Sequence, residues 1–266
     1  MKIRKILKAV KSLLKTNLWA TLIFNFKMFE LKDAIWLPAF LYGKVEYSGC
    51  TGQIKRLRDE ERPHMGGWQI GRGGYNSSGR HSHLTVLSIE GTLYIGEHGR
   101  IANGCLLNVR NNATCILEDR VDFNECCKVR CHMYVKIGKG TQFAWECQVY
   151  DTNFHYMVSL ADRTIKNINK PIEIGDYCWF GNRVNVARGT ILSNFSIVGS
   201  CSLVNKDFSD YPYCIIAGIP AQVKKSNYMR VFNKQRQYFE IEQWFIENPQ
   251  GVYTIGDDID LEEFCL

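Results

Sequence analysis

No stretch of this chain is apolar for long enough to cross a bilayer. The apolar segment LWATLIFNF near the N-terminus contains Asn25 and runs into Lys27. It lacks a small-residue cleavage site, so no secretory leader is expected. Cys-x-x-Cys pairs are missing as well, although the chain has 11 cysteines. The odd count argues against a closed disulfide framework, and the missing pairs argue against structural zinc. The thiol-rich run CCKVRCH, residues 126–132, has no such spacing and no second pair to complete it. No metal is expected. Basic–aromatic ladders and nucleic-acid motifs are absent too. The net charge of +6 therefore suits an anionic cofactor, a nucleotide-linked substrate or a membrane surface better than nucleic acid. A reduced, cytoplasmic protein is the expectation.

What the chain does have is a period of six. Ile174, Phe180, Val186, Leu192, Val198 and Val204 are all apolar. The residues just after them, Gly175, Gly181, Ala187, Ser193, Gly199 and Asn205, are almost all tiny. The residues two before them, from Ile172 and Cys178 to Ser196 and Ser202, are mostly small. The same period recurs upstream in blocks: Ile89 to Leu107, Leu117 to Val135, and Ile137, Phe143, Val149 and then His155. Between blocks the phase slips, which suggests short insertions at corners.

Six residues fit neither a helix nor an alternating strand. They fit one flat side of a prism, with three sides making a coil of about 18 residues and coils stacking about 4.8 Å apart. The apolar residue should point inward, and the small one after it should let the chain turn. The residue two before the apolar one should also face inward and be small. That last column absorbs Cys105, Cys115, Cys127, Cys147 and Cys178, which read as small buried hydrophobes rather than metal or redox groups.

This pattern resembles the hexapeptide-repeat acyltransferases. It is similar to the maltose/galactoside acetyltransferase-like branch that includes xenobiotic and polysaccharide O-acetyltransferases. The resemblance covers about Ile89 to Lys225. It is sharpest at residues 170–181, KPIEIGDYCWFG, at Val204 to Asp207, VNKD, and at Ala217 to Ala221, AGIPA. The family's LPG is Ala187-Arg188-Gly189 here, the asparagine of its GNPA is Ile219, and a basic residue after that motif is Gln222. The resemblance implies a mainly β fold, a left-handed parallel β-helix. It also implies homotrimers and acetyl-CoA as acyl donor.

The resemblance assigns His155 as general base. The chemistry fits, because a hydroxyl or amine attacking a thioester must lose a proton, and a neutral imidazole near pH 7 can take it. On the six-residue count His155 occupies an aliphatic slot, and the polar run 156–170 then breaks the period. Asp151 would either orient the imidazole, bind the acceptor, or simply hold its own corner. Trp179 resembles the tryptophan that lines the donor or acceptor channel, with covering a neighbouring subunit as the other reading. Gly181, Ala187, Gly199 and Ser200 match small positions beside the pantetheine arm. Lys206, Lys224 and Lys225 are candidates for the coenzyme A phosphates or for plain solvated surface.

Three segments are expected: a helical or extended stretch 1–44, the β-helix 45–225 with its excursion 156–170, and a helix with an acidic tail, 226–266, loosely ordered at its end. Residues 1–15 form a basic amphipathic pattern, with Lys2, Arg4, Lys5, Lys8, Lys11 and Lys15 and no acid. It would lie on the inner face of an anionic membrane or pack on the protein body. The functional expectation is an acetyl-CoA-dependent O-acetyltransferase acting on a sugar of a surface polysaccharide or its precursor. N-acetylation of an amino sugar or small xenobiotic is the rival enzyme reading, and a non-catalytic β-helical scaffold is the rival of another class.

Overall fold

The computed structural model describes residues 15–58, 60–73 and 83–266. The basic pattern of residues 1–14 lies outside them. The chain winds as a parallel β-helix whose three faces are visited in turn. The first face stacks Ala39–Leu41, Trp68–Arg72, Gly99–Ala102, Val121–Phe123, Gln142–Phe143, Trp179–Phe180, Ile197–Val198 and Cys214–Gly218. The second runs from Val45–Glu46 to Leu203–Val204, and the third from Gln53–Arg56 to Asp207–Phe208. The first coil strand, Ala39–Leu41, thus falls inside the stretch that the sequence reading set apart as N-terminal.

The six-residue columns form the core. On the first face Ile101, Phe123, Phe143, Phe180, Val198 and Ile216 lie in register, all buried. The three phenyl rings stack at 4.8 and 4.3 Å. The column two residues earlier is buried too. Its polar members satisfy themselves against backbone: Ser196 and Ser202 donate to the carbonyls of Ser193 and Gly199, each at 2.7 Å. The Cys127 and Cys147 thiols donate to the carbonyls of Ala144 and Gly181 one coil on. A thiol there is a compact donor that burial also holds protonated: the Cys178 thiol is pushed up to about 12, chiefly by desolvation.

The small residue after each apolar one has a different role from the one its position suggested. It is not where the chain turns. A Cβ on Gly175 would sit 2.5 Å from Asn194 Oδ1, and one on Gly181 2.6 Å from Ser200 Oγ. These residues are small because the next coil passes directly over them. The turn comes two residues later, in the left-handed region, at Tyr177, Arg183, Gly189, Phe195 and Cys201. Four of those five carry a side chain, each at a backbone cost of roughly 1–2 kcal/mol. Their N–H groups recover part of it by bonding the preceding coil, as Tyr177 does to the carbonyl of Lys139 at 2.7 Å.

Both ends of the prism are closed. Helix α1, Leu18–Met28, lies over the first coil. Asn25 exchanges two hydrogen bonds with the backbone of Ala39, and Thr21 accepts from the N–H of Leu41, which caps the open strand edge. Beside it, just beyond α2, Leu31–Ala34, Arg56 is buried between Asp33 at 3.0 Å and Glu97 at 2.6 Å. At the far end Ala221–Ser226 folds back antiparallel on Cys214–Gly218.

The chain then returns along the corner between the third and first faces. Helix α3 comprises Lys234–Arg236, a π-helical turn Gln237–Ile241 and Glu242–Glu247. The acidic tail is not loose. Helix α4, Leu261–Cys265, buries Phe264 under the Arg236 guanidinium, and the Cys265 carbonyl accepts the N–H groups of Phe232 and Asn233.

Candidate active site

Among the described residues the longest break in the prism is at the corner between the second and third faces. Strand Gln148–Tyr150 ends the second face, and the third resumes at Ile172–Ile174, paired with Tyr134–Ile137. Between them the chain forms a two-stranded arm. Thr152 pairs with Asn169 and Val158 with Ile165. A tight turn at the tip brings the Ser159 N–H 2.8 Å from the carbonyl of Thr164. The arm therefore starts near residue 153, three residues before the excursion expected from the broken period.

That start moves His155. It does not fill an inward aliphatic slot; the last inward aliphatic residue is Val149, and the next is Ile172. Counting six from Val149 assumes that the chain stays on the prism, but Asp151 and Thr152 have already turned it off. His155 stands on the arm, exposed, and its imidazole has no hydrogen-bond or ion-pair partner among the described residues. It follows Phe154, which takes a left-handed backbone with φ of 62°. The Phe154 ring anchors the arm against His132 at 5.6 Å and Tyr150 at 6.3 Å, with the Arg130 guanidinium over it at 5.8 Å. Burial pulls the His132 imidazole below the ordinary histidine range, although nearby Asp151 opposes this.

Asp151 does not orient His155 here. It is fully buried, and both of its oxygens accept backbone N–H groups: His132 at 2.8 Å, Met133 at 2.7 Å and Tyr134 at 2.8 Å. Of the roles open to it, the corner is the one that the geometry shows. Two buried polar atoms near the arm's base have no hydrogen-bond partner among the described residues: Asn169 Oδ1, an acceptor, and a terminal nitrogen of Arg188, a donor. Arg188 is the residue that replaces the family's proline.

The remaining candidates divide between two corners and one end. Gly181, Gly199 and Ser200 come together at the corner between the first and second faces, where Gly181 lies against Ser200 and Gly199 against Ala217. Gly181 is buried beneath that corner, Gly199 is half-buried and Ser200 is exposed. Ala187 and Lys206 lie at the arm's own corner, one and two coils on. Lys206 reaches Gln222 at 3.3 Å. Lys224 and Lys225 are on the terminal antiparallel strand, and Lys225 sits over the Tyr228 ring. Trp179 faces outward on the first face. Arg230 covers it at 5.3 Å while bonding Gln142 at 2.6 Å. Burial pulls the Arg230 guanidinium below its ordinary value. Among the described residues no group of three or more His, Cys, Asp or Glu could hold a metal ion.

The sequence reading missed a ladder of rings at the corner between the third and first faces. Tyr177, Phe195 and Tyr213 stack at 5.7 and 4.9 Å with nearly parallel rings. Their separation of one 18-residue coil was the available signal. Phe232 covers Tyr177, and Tyr213 bonds Glu262 of α4.

No protein-family model matches the chain. A putative lipopolysaccharide biosynthesis O-acetyl transferase, WbbJ, of Escherichia coli K12 is 27% identical over 148 residues, covering 52% of this chain and 74% of that one. An uncharacterized 24.8 kDa protein in the cps region of Klebsiella pneumoniae is 30% identical over 144 residues. That match covers 54% of this chain and 63% of the relative's length. Among solved structures, the polysialic acid O-acetyltransferase OatWY superposes with a TM-score of 0.40 at 20% identity, covering 83% of this chain and 98% of that one. The chain is similar in sequence to a putative O-acetyl transferase, and its six-residue repeat and three-faced parallel coil agree with the hexapeptide-repeat acyltransferase resemblance.

Proposed function

We propose that the protein is an acetyl-CoA-dependent O-acetyltransferase acting on a sugar hydroxyl of a surface polysaccharide or its precursor. One observation of the structure carries the reading: a histidine with no partner among the described residues stands exposed on the prism's long arm. In this reading His155 takes the proton of the sugar hydroxyl as its oxygen attacks the thioester carbonyl. The tetrahedral adduct collapses, the carbon–sulfur bond breaks, and the departing thiolate recovers that proton. No covalent acyl-enzyme is formed. The small-residue corner at Gly181, Gly199 and Ser200 receives the pantetheine arm, and Lys206, Lys224 and Lys225 offer point charges to the phosphates. Asp151 supports the site by fixing the arm's base.

Within one chain that corner and the arm lie on different edges of the prism. This supports a homotrimer in which one protomer's arm meets the next protomer's small-residue corner. A peripheral membrane contact has a neighbour of the right kind in α1. Its outward stripe of Leu18, Trp19, Leu22, Ile23 and Phe26 is exposed, and in the sequence it follows the basic residues 1–15.

The test is coenzyme A release by purified protein with a panel of glycans, beside His155→Ala. Chromatography is the proper readout, because the exposed Cys201 and half-buried Cys126 thiols would react with a thiol dye. The substitution should cost about 10²–10⁴-fold in turnover. An alanine variant as active as the parent removes His155 as base. Silence with every acceptor favours the scaffold, and transfer confined to amines favours N-acetylation.

A further inference from the structure

An open groove of about 900 Å³ runs along the outward side of the first face, away from the arm. Its floor is a register ladder, Gln69, Arg100, Asp122 and Gln142, one residue from each of four successive coils. Three coil steps make it roughly 14 Å long. Trp145, half exposed at the corner with the second face, stands on one margin. Tyr177 and Phe232 stand on the other.

The charges along it are unequal. Asp122 is neutralised by Arg100 at 2.7 Å. Arg120 spends its shortest bond on the neutral Tyr177 hydroxyl at 3.0 Å and reaches Asp119 only at 3.5 Å. Lys234 has no ion pair among the described residues and opens onto the same margin. A polar floor of amides and a paired Arg–Asp is wrong for an apolar helix or an acyl chain. Rings at the edges with amides between them suit the alternating apolar and hydroxyl faces of sugar rings. Against Asp122 and Glu125 the lining carries Arg72, Arg100, Arg120 and Lys234, and this excess of cations suits a carboxylate, which a guanidinium can grip with two parallel bonds.

We propose that this groove binds an extended stretch of carboxylated glycan, separately from the arm that carries His155. The choice of a glycan rests on the acyltransferase reading above, while the binding itself needs no catalysis. On this view the groove holds a polymer on the first face, with its Trp145 margin at the same corner that, in the trimer, the next protomer's arm would meet.

The test is direct binding of fluorescently tagged oligogalacturonate and oligosialate. A neutral malto-oligosaccharide and a DNA oligothymidylate serve as controls, each at low and high salt. Both carboxylated probes should bind, with affinity falling as salt rises, and the neutral probe at least about tenfold more weakly. Arg120→Gln combined with Lys234→Gln, and separately Trp145→Ala on its exposed corner, should each weaken binding about tenfold while melting like the parent. His155→Ala should bind as the parent does. The proposal is overturned if neither carboxylated probe binds, if the neutral probe binds equally, if the oligothymidylate binds equally, or if variants that melt like the parent bind unchanged. Binding without coenzyme A release from any acceptor would keep the groove and remove the enzyme reading. Release onto short acceptors without probe binding would do the reverse.

Discussion

At the corner between the third and first faces, Asp119, Asp176 and Asn194 each accept a backbone N–H from the coil before, and rings stack outside them. At the corner between the second and third faces, Asp151 makes the same kind of cap on His132, Met133 and Tyr134, yet the chain then leaves the prism for an arm. The two corners share their capping chemistry and part ways immediately after the cap. The first is closed by Tyr177, Phe195, Tyr213 and the C-terminal segment. The second holds an interruption open. A buried carboxylate at the arm's root lets the coils on either side keep register while the arm projects His155. One residue secures the break, and a different residue is placed by it.

The sharpest way to break that separation is at Asp151. Asp151→Ala removes three charge-assisted hydrogen bonds, each worth about 1.5–3 kcal/mol, and leaves buried N–H groups unpaired. A stability loss upwards of about 4 kcal/mol is expected, read from urea midpoints at constant m-value. If the variant unfolded at the parent's midpoint, the cap would not be what holds the arm's base. His155→Ala should behave in the opposite way. Its urea midpoint should match the parent's, because the ring is exposed and has no polar partner among the described residues, while turnover falls about 10²–10⁴-fold. A His155 variant with a lowered midpoint would place the side chain in the fold and erase the contrast.

Much of the prism was legible because its constraint repeats. Phe143, Phe180 and Val198 must be apolar, Cys147 and Cys178 small, and Gly175 and Gly181 without bulk, all at one period. The parts that were not legible lay where the constraint is local or comes from far along the chain. Tyr177, Phe195 and Tyr213 turn corners in a left-handed backbone without glycine, so they carry no turn signal. The bond from the Asp151 carboxylate back to residue 132 has no sequence signature apart from an aspartate at a corner. His155 was singled out for a reason that the structure does not keep. The six-residue count placed it in an aliphatic slot, whereas it stands exposed on the arm, off the count. The burial of Phe264 depends on Arg236 and the Phe232 backbone, a pairing that no periodicity announces.

A smaller effect probes the closed corner. Phe195 stacks on Tyr177 on one side and Tyr213 on the other, and each aromatic pair contributes about 0.5–1.5 kcal/mol beyond area. Phe195→Ala keeps the left-handed strain and loses both pairs, so a loss of about 1–3 kcal/mol is expected by thermal melting. Phe195→Gly loses the same contacts but relieves the strain, so it should be the more stable of the two. The reverse order would show that relief of the left-handed strain does not outweigh the extra chain entropy of glycine there. Neither change should alter the arm, so His155-dependent turnover at low temperature should be retained.

The smallest expected effect lies where the arm meets the prism. His132 is partly buried under Phe154, and desolvation holds its imidazole below the ordinary value of 6.5. Below pH 6.5 the unfolded chain takes up a proton that the folded ring still declines. The stability associated with the neutral ring is therefore fully present above 6.5. It declines as the pH falls from there, and the decline is complete once the pH has passed through the lowered folded value. His132→Gln should flatten that part of the stability–pH curve and leave the curve above 6.5 unchanged. Phe154→Ala uncovers the ring, so a nuclear magnetic resonance titration of His132 should move back toward 6.5. If the titration stayed where it was, the arm would not be what shields His132, and the aromatic anchor of Phe154 would have no part in holding His155 in place.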